Sequence, residues 1–371
     1  DLKRTGFTNH SDRIQLAFAS AVFPIGSRFT LGAYFHEPLR NEGVGVVAAE
    51  EGSFGSPSQS LPNFFLPRDN PTGPVSRAEC ESIRSTRNDP FACIEYEFFP
   101  FASALDVKQQ TFGLAGAWQI HPKFSVGASA RYQTFTERAF TIIFDDDFNV
   151  QAILAQGTGT VNALGDDLQI ETETDVTFTG GFKWSPSEKI SIGGVYKQGP
   201  RFITPSFFAG EQSDNELIQL AETSFHMPDI AGLGISVRPI PVLTINVDAV
   251  QVWYSNLADE FFSARVGDLG QEAYEIDDVL ELRVGAEYFF STKIPIAVRA
   301  GYWRDPAHSL TYRGPLDTFN RVGQAALYPK GDDQNHFSVG AGLAWPRFQI
   351  DAAYDTSDNF KVGSISMVTR F

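Results

Sequence analysis

The side chains that most often carry catalytic chemistry are scattered along this 371-residue chain. No stretch matches the nucleophile elbow GxSxG, the zinc-binding helix HExxH or a phosphate-binding loop. No serine, histidine and acid can be combined into a catalytic set by their spacing. The histidines at predicted strand ends and in loops are best interpreted as solvated or hydrogen-bonded side chains. They are His36, His121, His226, His308 and His336. We therefore predict no enzymatic activity, no cofactor and no metal site.

The two cysteines, Cys80 and Cys93, lie 13 positions apart in one polar stretch. In an oxidising compartment such a pair closes a loop, and a bridge of this span stabilises the folded chain by roughly 3 kcal/mol. Two free thiols are the alternative interpretation. We predict the disulfide.

Composition narrows the classes of protein that remain. The mean hydropathy is −0.16, and no run of about 18 apolar residues could form a transmembrane helix. Transmembrane strands escape such a scan because only every second residue faces lipid. The 33 Phe and 32 Gly residues fit many short strands with aromatic ends. The formal net charge of −16 argues against nucleic acid as a partner.

The C-terminal residues alternate in polarity as a strand does. Ile365, Met367 and Phe371 fall on one face, whereas Ser364 and Ser366 fall on the other. A final strand that ends on an aromatic residue is typical of a bacterial outer-membrane barrel, in which the last strand closes the cylinder. A soluble sandwich could also end on a strand.

The same alternation recurs in pairs of segments that are joined by tight turns. One face of each strand is apolar and the other is small or polar, and short turns alternate with long loops, as in outer-membrane barrels. We predict an all-β fold, a transmembrane antiparallel β-barrel with about 13 strands of an expected 14, since such barrels usually have an even number. It forms a single domain over residues 1–371, with long extracellular loops at 39–103, 137–172 and 200–226. A soluble two-sheet protein is the alternative.

Several segments carry a resemblance to a known family: Met227-Pro228-Asp229 and residues 282–288, 298–302 and 337–343. In order and spacing they resemble the outer-membrane long-chain fatty-acid and hydrophobic-compound transporters of the FadL/TodX type. The match runs from residue 13 to the end, as strands two to fourteen of a fourteen-stranded barrel, and the family's N-terminal hatch and first strand lie outside it.

The resemblance implies a location in the bacterial outer membrane, with the lipid bilayer and lipopolysaccharide as surroundings. It implies hydrophobic small molecules or detergent as ligands. It also implies passive transport of long-chain fatty acids or other hydrophobic compounds. Capture would occur at the extracellular mouth, and release would occur sideways through the barrel wall.

Two groups of apolar residues in the predicted loops are candidates for the capture site. Their spacing indicates short helices, which the resemblance places at the extracellular mouth as a hydrophobic groove. The first group is Phe148, Val150, Ile153 and Leu154, and the second is Phe207, Phe208, Leu217 and Leu220. Such a groove would bind an acyl chain with about 0.8 kcal/mol per buried CH₂. Alternatively, the two helices pack on each other as a lid.

Basic residues on the polar faces of the predicted strands are candidates for binding a ligand headgroup. Arg283 and Arg299 could each pair with a fatty carboxylate. Pairing with acids of the same faces, such as Glu287 and Asp248, is the alternative interpretation.

The tripeptide His36-Glu37-Pro38 is the candidate for a lateral opening. A proline within a strand removes a ladder donor and marks a bulge or a strand end. The resemblance implies that the equivalent strand is kinked inward and opens a hole in the wall. Alternatively, Pro38 simply ends the strand.

A structural role is the second function that the sequence allows. In this hypothesis the chain is a scaffold barrel in a secretion or cell-surface complex, with a protein partner at the extracellular loops. The long loop at 39–103, closed by the predicted disulfide, favours this alternative.

Overall fold

The computed structural model describes most of the predicted strands and parts of their connections. The described residues are 6–8, 16–47, 64–67, 75–89, 92–96, 101–144, 150–157, 159–161, 168–170, 172–210, 218–257, 274–314, 328, 330–358 and 360–370.

The described residues are mainly β-strand. Strands β1 to β8 are Gly6–Thr8, Phe18–Ile25, Phe29–Val47, Phe64–Pro67, Cys93–Tyr96, Phe101–His121, Phe124–Phe144 and Val150–Gly157. Strands β9 to β16 are Gly159–Val161, Leu168–Ile170, Glu173–Ser187, Ile190–Lys197, Arg201–Gly210, Ile218–His226, Ile230–Ile240 and Leu243–Val252. Strands β17 to β23 are Tyr274–Glu275, Val279–Phe290, Ile296–Asp305, Thr311–Tyr312, Gln334–Ala344, Phe348–Thr356 and Lys361–Thr369. The helix α1 is Arg77–Arg87, and a 3₁₀ turn covers Tyr254–Leu257. None of the described helices is long and apolar enough to cross a membrane.

One antiparallel sheet contains 17 of these strands. Thirteen of them are the predicted strands, and the shorter β1, β8, β13 and β14 extend the sheet on the side of the long loops. Among the described residues, β2 pairs only with β3 and β23 pairs only with β22, so the sheet is open between β2 and β23. These two edge strands run in the same direction. One further strand antiparallel to both would therefore complete an even-numbered cylinder.

Alternation along the strands gives the sheet two different faces. On what we call the apolar face, large hydrophobic side chains are exposed, as for Leu114 (70%), Val247 (48%) and Ile365 (82%). In the ladder, apolar residues stand opposite apolar residues. Val247, for example, pairs with Ile235 on one side and with Val284 on the other. Apolar area on this scale is unfavourable in water, at about 25 cal/mol per Å². Hydrocarbon is the surrounding in which this face is stable.

The apolar face rules out two stacked sheets within the described residues. A sandwich would bury Ile245 and Val298 in a dry interior between its layers. Both side chains are instead exposed, at 36% and 41%. The opposite face, which we call the polar face, carries glycine, serine and charged residues.

The structure corrects the boundaries and the content of the three predicted loops. The loop predicted at 39–103 is shorter, because β3 continues to Val47 and β6 begins at Phe101. The helices predicted at 137–172 and 200–226 are wrong for the described residues. There β7 continues to Phe144, and β8, β13 and β14 are strands. A short apolar run fits the periodicity of a helix as well as that of a strand. Here pairing with the neighbouring strands satisfies the backbone N–H and C=O groups.

Candidate functional site

Arg299 lies on the polar face between two acids that neutralise it. The ladder sets Arg299 opposite Glu287, and the side chain of Asp351 reaches it from a strand farther along the sheet. The Nε group of Arg299 donates to Glu287 Oε2 at 2.7 Å, and Nη1 donates to Asp351 Oδ1 at 2.5 Å. Hydrogen bonds with both partners charged are the strong ones. The guanidinium is therefore held between two carboxylates of the protein itself.

Arg283, two rows along the polar face from Arg299, is also engaged. Its Nε donates to Glu281 Oε2 at 3.2 Å. Its guanidinium carbon lies 4.9 Å from the centre of the Trp303 ring, within the range of a cation–π contact. The ladder places Asp248 opposite Arg283 on β16. Both arginines therefore pair with acids of the polar face, as the alternative interpretation of the sequence predicts.

A cavity of about 450 Å³ lies over this charged row, and small residues make the room for it. The ladder aligns Asn246, Gly285, Gly301 and Ser338 side by side across four strands. A Cβ atom at Gly301 would lie only 2.6 Å from Ser338 Oγ, so a larger residue there would displace its neighbour. The cavity therefore depends on glycine in the middle of the row.

Glu37 and Pro38 interrupt the ladder between β3 and β6. His36 pairs with Thr111 and Leu39 pairs with Gln109, which leaves two residues of β3 opposite the single Gln110. This is the two-against-one count of a β-bulge. The ladder resumes beyond it up to Val47 opposite Phe101, so Pro38 does not end the strand.

The bulge brings a carboxylate into a buried position. Glu37 is 8% exposed, its Oε2 accepts a hydrogen bond from Gln110 Nε2 at 2.9 Å, and its backbone N–H donates to the Ala17 carbonyl oxygen. The Phe18 ring lies 6.2 Å from the His36 ring on the neighbouring strand. The interruption is therefore held by specific polar contacts.

A second interruption, which the sequence did not predict, lies between β12 and β15. Their ladder stops at Lys197 opposite Ile230, and the ladder of β13 and β14 begins at Arg201 opposite His226. A cavity of about 420 Å³ opens at this break. Its lining residues are Asp175, Tyr196, Gln198, Gly199, Arg201, His226 and Asp229.

Asp229 holds the two sides of this second break together. Its Oδ1 accepts the Gly199 N–H at 2.6 Å, and its Oδ2 accepts the Tyr196 hydroxyl at 2.5 Å. The backbones approach so closely that a Cβ atom at Gly199 would overlap the Met227 carbonyl oxygen. Close backbone approach is the usual reason for glycine at such a position.

Above the break, three aromatic rings pack on one another. Phe135 on β7 stacks on Phe202 of β13, with ring centres 4.8 Å apart, and on Phe225 of β14 at 5.6 Å. Phe135 and Phe202 are almost fully buried. Stacked rings of this kind add to the burial of their area. They fix the hairpin of β13 and β14 against the main sheet.

The predicted disulfide between Cys80 and Cys93 is confirmed, with 5.3 Å between the Cα atoms. It joins α1 to β5, and Arg84 Nε adds a bond to the Cys93 carbonyl oxygen at 2.6 Å. The helix begins with a capping box, in which Ser76 and Glu79 exchange hydrogen bonds. Donation from the Ser76 backbone and hydroxyl holds the pKa of Glu79 below its usual range. The pattern Ser-x-x-Glu was a readable signal for this helix.

The two predicted capture segments meet as paired strands. The ladder of β8 and β13 sets the backbone of Phe208 opposite Leu154 and that of Phe207 opposite Ala155. Val150 and Ile153 lie on β8, and Leu220 lies on β14. Phe148 and Leu217 lie outside the described residues.

Comparison with known proteins agrees with this architecture. The model of the family described as outer membrane protein transport protein (OMPP1/FadL/TodX) matches residues 95–363. No curated protein matched. A solved structure of a Pseudomonas aeruginosa FadL homologue is 14% identical with a TM-score of 0.52, over 93% of this chain and 70% of that one. The Ralstonia pickettii toluene transporter TbuX is 14% identical with a TM-score of 0.51, over 98% of this chain and 83% of that one.

These likenesses identify the sheet as a transporter-type barrel, with its apolar face toward lipid and its polar face toward the lumen. The matched residues cover more than half of the chain and most of the 13 strands. The chain therefore belongs to the OMPP1/FadL/TodX family of outer membrane transport proteins and lies in the bacterial outer membrane.

Proposed function

We propose that the barrel is a passive route by which hydrophobic compounds, fatty acids among the candidates, cross the outer membrane. Compounds enter at the extracellular end, occupy the lumen and leave sideways through the wall into the bilayer. Family membership supports this function, and the Ralstonia pickettii protein of similar fold is a toluene transporter. Members of the family are transport channels, which supports a role without catalysis.

The capture step is proposed for the segments at the extracellular end. The pairing of β8 with β13 supports it, since the ladder sets Leu154 of the first predicted group opposite Phe208 of the second. The proposed contacts are Phe148, Val150, Ile153, Leu154, Phe207, Phe208, Leu217 and Leu220. Each buried CH₂ of a ligand would contribute about 0.8 kcal/mol there.

The observation that carries lateral release is the bulge at Glu37 and Pro38. Backbone groups facing hydrocarbon must be paired, so a membrane-spanning wall is continuous unless another feature compensates. The extra residue opposite Gln110 is such a departure, two positions along β6 from the exposed Phe112 of the apolar face. We propose that His36, Glu37 and Pro38 border the exit.

Deleting Pro38 tests this exit. The deletion leaves Glu37 as the one residue opposite Gln110, so the ladder of β3 and β6 can run without interruption. We expect the initial uptake rate of radiolabelled toluene by intact cells to fall towards that of cells without the barrel. Pro241→Ala, in the short turn between β15 and β16, serves as the control. Full uptake with the deletion, at equal amounts of folded barrel, would refute release at this bulge.

The scaffold function remains the second candidate, on the strength of one observation. The unit of α1, β4 and β5 is a preformed, disulfide-closed structure within the first long loop. Such a unit offers a fixed surface to a protein partner. Removing it from a transporter would leave toluene uptake intact, whereas a scaffold would lose its complex.

A further inference from the structure

We infer that the lumenal cavity at Arg299 accepts uncharged hydrophobic compounds and rejects carboxylates. The inference rests on the proposed transport function and deepens it, since it names the class of ligand. It selects among the candidates that family membership leaves open, which include both fatty acids and hydrocarbons.

The first observation is that two acids already balance the positive charge of Arg299. Two carboxylates, Glu287 and Asp351, accept from its Nε and Nη1 groups at 2.7 and 2.5 Å. A ligand carboxylate that approached the remaining N–H groups of this guanidinium would lie beside both acids, and one that displaced an acid would leave that acid beside the bound anion. In either case like charges in a partly desolvated site repel.

The second observation is the sum of charges around the cavity. Its lining contains the acids Asp248, Glu287 and Asp351 against the bases Arg283 and Arg299. Three negative and two positive charges leave a net charge of −1. The lining excludes Glu281, which already bonds to Arg283. The field at the cavity is therefore unfavourable for an anion.

The third observation is that the floor of the cavity suits a neutral molecule. Gly285, Gly301 and Gly340 present backbone without side chains, and their neighbours include Ser338 and Ser364. A neutral ligand displaces water from this floor and disturbs no ion pair. It therefore avoids the cost of breaking charged hydrogen bonds.

A pair of probes with the same chain length tests the inference. Radiolabelled decanol and decanoate are equilibrated with the barrel in lipid nanodiscs at pH 8, and binding to empty nanodiscs is subtracted. We expect decanol to bind and decanoate to bind much more weakly. The double variant Glu287→Gln with Asp351→Asn frees Arg299. It should raise the decanoate-to-decanol affinity ratio at least about tenfold, the scale of one charged hydrogen bond.

Two further variants separate this effect from general charge and from misfolding. Asp333→Asn removes an acid that bonds to Arg304 outside the cavity lining, and it should leave the ratio unchanged. Adding Arg299→Gln to the double variant should abolish its gain. Heat-dependent electrophoretic mobility checks that each variant is a folded barrel.

The outcomes distinguish the inference from the function on which it rests. Equal binding of decanoate and decanol by the unaltered protein would overturn the inference and leave hydrophobic transport standing. An unchanged ratio in the folded double variant would overturn it too. If neither probe exceeds the empty nanodiscs, the proposed function fails and the inference fails with it.

Discussion

Replacing Val247 with arginine is expected to destabilise the folded barrel in the membrane, whereas the same replacement at the adjacent Asn246 is tolerated. Val247 is on the apolar face and 48% exposed. An arginine there meets hydrocarbon and costs about 2–4 kcal/mol near the middle of the bilayer. Asn246 lines the lumenal cavity, where Asp248 and Glu287 offer partners for a new cation.

The comparison is made by refolding each variant into lipid vesicles across a urea series. The free energy of unfolding should fall for Val247→Arg by the amount given above and change little for Asn246→Arg. Equal effects at the two positions would mean that the two faces of β16 meet the same surroundings, which contradicts a membrane-spanning wall.

Replacing Gly199 with alanine is expected to destabilise the half of the barrel on the side of the long loops by about 1–3 kcal/mol, as overpacking does. A Cβ atom there would overlap the Met227 carbonyl oxygen, which belongs to backbone and cannot rotate away. Gly180→Ala is the matched control, because no heavy atom lies within 4 Å of a Cβ atom at Gly180. We expect the control to change stability by no more than about 0.5 kcal/mol.

Hydrogen exchange of the backbone amides is the suitable measurement for this pair. Protection should fall in β13 and β14 of the Gly199→Ala variant and stay unchanged throughout the Gly180→Ala variant. If β13 and β14 keep their protection, the contact between the two segments at the second break does not support that hairpin.

The sheet could be predicted from the sequence because the two faces of each strand meet different surroundings, so that the polarity of its side chains alternates. Alternation of Leu114, Val247 and Ile365 with small or polar neighbours needs no knowledge of the partner strand. Short turns such as that at Pro241 mark where strand pairs are joined. These local signals sufficed for the class and for the 13 strands.

The helices predicted in the loop segments are wrong for a physical reason. Apolar residues such as Ile153 and Leu154 fall at positions that suit a helix as well as a strand over so short a run. Pro205, within β13, was a signal against a helix interior. The pairing of β8 with β13, in which Leu154 stands opposite the distant Phe208, is not local.

The candidate site depends on contacts that are distant in sequence. Arg299 and Asp351 are separated by 52 positions, so their pairing could be proposed only as one alternative among several. The role of Asp229 was hidden in the same way, because its partners Tyr196 and Gly199 lie on an earlier strand and its extension. The motif Met227-Pro228-Asp229 indicated the family and gave no sign of the contact that it makes.

Photoaffinity labelling tests most directly whether hydrophobic compounds occupy the lumen. A neutral alkyl diazirine is irradiated with the barrel in outer membranes, and labelled residues are mapped by mass spectrometry with and without excess toluene. We expect toluene-sensitive labels at cavity residues such as Ser338 and Ser364. Labels confined to lipid-facing residues such as Val247 and Ile365, unaffected by toluene, would contradict passage through the lumen.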